Sequence, residues 1–215
     1  MRDRSSLVEL RMKELTTLRE RVARRLKIKP LAKRVRRIAG VDVVLTPRAS
    51  KVHVCACLMS CPKLEVLEEA IATDEINLRV YKDLGGVVLV PLILSVLKML
   101  KRNVDAVVVR ELTLGEAIPL ATYVGVIAGK PAFGVSERTS KLAKLAKLEG
   151  EPRAGTVKLR GHRTAVSVIA GNLMTLKDAS ALVRATAKEG RLPEPLRNAG
   201  VRVRAWEREW RRVNT

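Results

Sequence analysis

Apolar residues recur at helical spacing through Leu7, Leu10, Leu15, Leu18, Val22 and Leu26, with Arg and Lys filling the opposite face. Ser6 and Glu9 have the spacing of a capping box ahead of this stripe, and Pro30 ends it. The connector Lys33-Arg34-Val35-Arg36-Arg37 then leads into three runs, 38–45, 52–59 and 64–72, that read as strands. The links between them are short and turn-rich, which predicts an antiparallel meander. After Leu84 the pattern changes to alternating helix and strand. The apolar run 84–97 reads as a buried strand passing into a helix over about 92–101; Gly85, Gly86 and Pro91 interrupt it, and it is too short to span a membrane. A strand over 105–109, a helix over 116–128 and a strand over 132–135 follow. The row Lys141, Lys144, Lys147 predicts a short surface helix, 164–170 a strand and 176–188 a closing helix. From Leu192 the chain is punctuated by Pro and then becomes an Arg/Trp helix through Trp206 and Trp210. The expected fold is α/β: a mixed sheet, antiparallel at its start and parallel later, flanked by helices. One domain over 1–215 is expected, with a basic helical extension (1–37), a core (38–190) and a basic tail (191–215).

Charge sharpens this picture. The 215 residues carry 42 Lys and Arg against 22 Asp and Glu, a formal charge of +20. Residues 1–40 alone hold 14 basic against 4 acidic residues. Such a surplus points to a polyanionic partner, nucleic acid first, with a solvated or ribosome-associated basic surface as the other account. Aromatic residues make up only 2%, too few for base-stacking platforms, so contacts should run to phosphate and weaken steeply with salt. Gln is absent while charged residues abound, a pattern that suits a thermophile. Cys55, Cys57 and Cys61 lack the spacing of a zinc site and read as structural thiols in a reducing, cytoplasmic setting. No secretory signal or membrane partner is indicated. His53 and His162, the only histidines, read as structural or solvated, and no Ser/His/Asp or Cys/His pattern supports a hydrolytic triad.

Asp42 is the residue with chemistry. It stands in Ile38-Ala39-Gly40-Val41-Asp42-Val43-Val44-Leu45, a stretch otherwise suited to a buried strand, where a carboxylate needs a metal or a partner. The next strong strand ends in Arg110. Four segments stand out beside this layout: Arg37-Ile-Ala-Gly-Val-Asp-Val43, Cys61-Pro-Lys-Leu-Glu-Val-Leu-Glu-Glu69, the stretch from Asp105-Ala-Val-Val-Val109 to Pro131-Ala-Phe-Gly-Val135, and Lys188-Glu-Gly-Arg-Leu-Pro-Glu-Pro195. Together with the layout they resemble the endonuclease V family of the ribonuclease H-like class.

The resemblance implies a nuclease that cuts near inosine with Mg²⁺ held by carboxylates, in DNA-repair-related work. Only Asp42 matches the implied ligand set. The helix-leading Glu falls near Val90, the strand-ending Asp on Arg110, the catalytic Lys on Glu137, and the last acidic or histidine position near Lys177. The base-probing wedge is reduced to Tyr81-Lys-Asp-Leu-Gly85, and the pocket loop is replaced by Glu111-Leu-Thr-Leu-Gly-Glu116. Glu111 and Asp178 are possible substitutes for the missing acids, although a shift of one residue turns a strand side chain to the other face. An ion pair between Arg110 and Asp42 is the preferred account of the site.

The expectation is therefore a nucleic-acid-binding relative with lost or impaired metal-dependent nuclease activity and no cofactor. Phosphate contacts would come from Arg34, Arg36, Arg37, Lys141, Lys144, Lys147, Arg191 and Arg197. One alternative is an active Mg²⁺-dependent endonuclease on inosine-containing DNA or RNA, with Asp42 as metal ligand. Another is a scaffold or protein-interaction subunit.

Overall fold

The computed structural model describes residues 3–46, 51–78, 81, 84–112, 118–137, 153–159, 165–188, 190 and 192–214. The three apolar runs near the start form the meander β1 (Arg37–Thr46), β2 (Lys51–Ser60) and β3 (Val66–Glu75), paired antiparallel in turn. Four further strands follow: β4 (Ala106–Arg110), β5 (Ala132–Ser136), β6 (Ala154–Lys158) and β7 (Ala165–Asn172). Together they make a seven-stranded sheet in the order β3-β2-β1-β4-β5-β7-β6. The β1–β4 and β4–β5 pairs are parallel, and the remainder antiparallel. This is the expected mixed sheet of the ribonuclease H-like layout.

Five helices are present among the described residues: α1 (Asp3–Arg25), α2 (Gly85–Met99), α3 (Leu120–Ala128), α4 (Leu176–Thr186) and α5 (Glu194–Asn214). Strand alternation sorts the central side chains between two layers. Ala39, Val41 and Val43 join the core formed with α2 and α3, which also receives Val22 of α1. Ile38, Val108, Phe133 and Val135 face the other way, against Ala179 and Val183 of α4 and Leu196 of α5. Cys55, Cys57 and Met59 pack on Ala199 and Val203 of α5.

Four local expectations change. Helix α1 begins at Asp3, so Ser6 and Glu9 lie within it rather than opening it as a capping box. The run 84–97 holds no strand: α2 is helical from Gly85, with Pro91 inside it. Eight of its residues are buried, Gly85 and Gly86 among them. A helix apolar on every side shows no periodicity to read. The third strand starts at Val66 rather than at Leu64, because Leu64 has a φ of 62° in a turn closed by its amide on the Ser60 carbonyl at 2.9 Å. Finally, β6 was not anticipated: only Val157 of its five residues is fully buried, so it carries little hydrophobic signal. The helix expected over 141–148 lies outside the described residues.

Candidate functional site

Alternation along β1 sends Gly40 and Asp42 to the face covered by α5. At Gly40 the helix lies directly on the strand: a Cβ there would stand 2.1 Å from the Pro195 carbonyl carbon and 2.3 Å from the Leu196 amide nitrogen. Only a hydrogen fits between them. One helical turn on, a Cβ at Gly200 would stand 2.5 Å from Asp42 Oδ2. Leu196, Gly200, Arg204 and Glu207 thus form one stripe running along β1, and Thr46 donates to Glu207 Oε1 at 3.3 Å at its far end. The glycines let this helix, rather than water, cover the Asp42 carboxylate, which is 1% exposed.

Asp42 and Arg110 lie one residue beyond the last β1–β4 rung, Val41 with Val109, and so emerge on the same face. Arg110 Nε sits 2.9 Å from both Asp42 oxygens. The Val43 amide donates to Oδ1 at 2.9 Å, and Arg204 Nη2 stands 3.6 Å from Oδ2. Arg110 also reaches outward, its Nη1 donating to Glu137 Oε2 at 3.1 Å. Arg204 Nη1 donates to the Gly200 carbonyl at 2.7 Å. Glu137, Arg110, Asp42 and Arg204 therefore form a chain of alternating charge. Burial pushes the Asp42 carboxyl above its ordinary value, against the pull of Arg110, the Val43 amide and Arg204. The anticipated ion pair is present, and it has two members the sequence reading did not place there: Glu137, seen only as a mismatched position, and Arg204. Glu137 could have been found, since it lies two residues past Val135, the β5 partner of Arg110. Arg204 could not, because the docking of α5 leaves no periodic signature in β1.

The proposed substitutes are elsewhere. Glu111 points to the opposite face, where its two oxygens accept the Leu120 and Ala121 amides, each at 2.9 Å, and cap α3. Asp178 closes a capping box with Thr175 at the start of α4 and accepts the Leu31 amide at 3.2 Å. That start follows Asn172, the β7 partner of Ala132 at the beginning of β5, so Asp178 is at the end of the sheet remote from Arg110. The same placement removes Lys177 from the site; Gly200 and Arg204 of α5 face Asp42 instead. Val90 is buried within α2.

Magnesium requires several oxygen ligands in near-octahedral order. Here both oxygens of Asp42 face a guanidinium, the exposed carboxylate nearby is tied to that same guanidinium, and a second arginine stands behind. Among the described residues, no three His, Cys, Asp or Glu side chains are grouped to hold a metal ion. The residues present do not fit the ion that the resemblance implies.

Of the expected phosphate contacts, Arg34 and Arg36 are exposed and Arg37 is half-buried, all where the chain enters β1. Arg197 is exposed but bonded to Glu194 through Nε at 2.9 Å and Nη2 at 2.6 Å. Lys141, Lys144, Lys147 and Arg191 lie outside the described residues, as do His162, most of the loop after Glu111 and part of the reduced wedge. Cys55 and Cys57 are buried free thiols, pushed up to about 12 by burial, and so poor nucleophiles at neutral pH. His53 is buried, bonded through Nδ1 to Thr73 at 2.8 Å and set 5.5 Å from the Trp210 ring. No described helix is long and apolar enough to cross a membrane.

Comparison with known proteins places this geometry in context. The sequence model of the Endonuclease V family matches residues 17–201. Endonuclease V of Gloeobacter violaceus is 29% identical over 183 residues, spanning 77% of this chain and 74% of that protein. Endonuclease V of Pyrococcus horikoshii is 38% identical over 80 residues, spanning 37% and 32%. The crystal structure of the Bacillus subtilis protein superposes with a TM-score of 0.77 at 17% identity, covering 99% of this chain and 95% of that one. Ciona intestinalis endonuclease V, in complex with a 24mer DNA containing an inosine followed by a ribo-adenosine, gives 0.76 at 15% identity, covering 94% and 99%.

Proposed function

The chain belongs to the endonuclease V family, and we propose that it is a nucleic-acid-binding member whose metal-dependent nuclease activity is lost or impaired. The observation that carries this reading is the guanidinium of Arg110, held 2.9 Å from both oxygens of Asp42. A fixed cation there repels a divalent ion and takes up the lone pairs that would ligate it. Binding is supported by the charge of +20 and by the inosine-containing DNA seen with the Ciona relative. The buried free thiols suit a reducing compartment, which supports a cytoplasmic setting.

The test uses an inosine-containing oligonucleotide as DNA and as RNA, with Mg²⁺ and with Mn²⁺. The expected result is binding without cleavage. Affinity should fall by roughly a thousandfold between about 50 and about 200 mM salt if half a dozen phosphates are contacted. Metal-dependent cleavage that disappears in Asp42→Ala would overturn the reading and establish an active endonuclease. Failure to bind either nucleic acid, with retention of an acidic protein partner, would leave the scaffold role in its place.

A further inference from the structure

The end of the sheet where β1, β4 and β5 begin carries a second site. Two adjoining cavities open there, of about 510 Å³ and about 350 Å³, and both are lined by Asn103, Val104 and Lys130. Lys98, Lys101 and Arg102 border the first, and Lys29 and Lys33 the second. Arg34 and Arg36 follow on the same connector, both exposed. The carboxylates near these cations are already committed. Asp105 accepts the Arg36 and Arg37 amides at 3.1 and 3.0 Å, and its side chain is only 6% exposed. Glu68 accepts the Lys101 and Arg102 amides at 2.6 and 3.0 Å and pairs with Arg102. Lys29, Arg34, Arg36, Lys98 and Lys101 form no ion pair with any described residue.

We propose that this groove binds the phosphodiester backbone of nucleic acid, at a place separate from the Asp42 cluster. The inference rests on the nucleic-acid-binding reading and locates where that binding occurs. Lys98, Lys101 and Lys130 also offset the negative C-terminal ends of α2 and α3, which both finish at this groove. Lys33 pairs with Asp105 at 3.5 Å, whereas Lys29, Arg34 and Arg36 have neither a described acid nor such a helix end to balance, so they form a surplus that favours an anion. No aromatic side chain lines either cavity, so bases have no stacking surface and contact goes to the backbone without regard to sequence. An acidic polypeptide is the competing occupant.

The experiment compares the full-length protein with Lys98→Ala/Lys101→Ala and with Arg208→Ala/Arg212→Ala, which removes equal charge from the exposed face of α5. Binding to a fluorescein-labelled DNA duplex without inosine is measured over a range of salt, after thermal unfolding confirms that each variant is folded. Expected is a loss of about tenfold or more in affinity for the lysine variant, with its log–log salt slope shallower by about 2. The arginine variant keeps the parent's slope. Equal slopes for the parent and the lysine variant, or an equal drop in both variants, overturn the groove while leaving the proposed function standing. Should the parent bind no nucleic acid, the proposed function falls and this site falls with it. Release of bound duplex by polyglutamate at lower charge concentration than by unlabelled duplex also counts against it and favours the acidic polypeptide.

Discussion

The two ends of the sheet hold their cations in opposite ways. Where β4 and β5 finish, Arg110 and Arg204 alternate with Asp42 and Glu137, so the charges largely cancel and the buried pair is locked in place. Where those strands begin, backbone amides, Lys33 and Arg102 hold the acids, while Lys29, Lys98 and Lys101 are exposed with no described ion pair. Basic residues can therefore serve unlike purposes. Paired with acids, they close a cavity and build structure; left unpaired around a groove, they create a field that attracts polyanions.

The largest test of this contrast is Arg110→Ala, which leaves the Asp42 carboxylate buried without its main partner. Urea unfolding at neutral pH should show a loss of about 3–5 kcal/mol. Asp42→Asn combined with Arg110→Leu should cost less than Arg110→Ala alone. The penalty of Arg110→Ala should also shrink in acid, as the unpaired carboxyl takes up a proton. A neutral Arg110→Ala would break the contrast, since the pair would then hold nothing together.

Glu111→Ala comes next. It orphans two amides at the start of α3, and the expected cost in a denaturant titration is about 1–3 kcal/mol. If this acid served a metal instead, Mn²⁺ would raise the melting temperature of the parent and not of the variant, a result expected for neither.

A smaller effect depends on pH. Burial pushes Asp105 up, but the Arg36 and Arg37 amides and Lys33 outweigh it and hold the carboxyl below its ordinary value. Asp178 is likewise held low against its burial, by the Thr175 hydroxyl and amide, the Leu31 amide and Lys177. Both groups are ionised more readily in the folded than in the unfolded chain. Their stabilisation is therefore complete above the ordinary carboxylate range and is lost as pH falls through the lower folded-state value. Asp105→Asn should be less stable than the parent at neutral pH, with the gap closing below about pH 4 in acid titrations followed by circular dichroism. A gap that widens in acid would reverse the assignment.

The smallest change belongs to the groove. Lys98→Ala/Lys101→Ala should cost no more than about 1 kcal/mol, the worth of exposed cations near the end of α2, because neither side chain holds a described ion pair. A loss comparable to that of Arg110→Ala would mean these lysines are structural after all.

Much of this was legible in residue order. The meander, the helix–strand alternation and the meeting of Asp42 with Arg110 follow from strand alternation and from the cost of an unpartnered buried charge. The roles of Glu111 and Asp178 were not legible, because capping depends on where a helix begins relative to a distant strand. A carboxylate beside a candidate site in sequence can turn to the other face, as Glu111 does, or sit at the far end of the sheet, as Asp178 does. The docking of α5 was invisible for a similar reason. Nothing in Gly40 says which backbone will approach it, and a segment dense in arginine reads as solvent-facing until its narrow stripe of Leu196, Ala199, Gly200 and Val203 is placed on a sheet.

The contact of Gly40 with Pro195 also sets an order of events during synthesis. β1 lies in the interior of the sheet and emerges from the ribosome early, yet the helix that shields one side of it is translated last among the described elements. At synthesis rates of about 5–20 residues per second, the final helix of 21 residues takes about 1–4 s to appear. For that interval the strip of sheet beneath the final helix lacks its apolar cover and Asp42 has Arg110 but not Arg204, so chaperone capture of the unfinished polypeptide should be centred on this side.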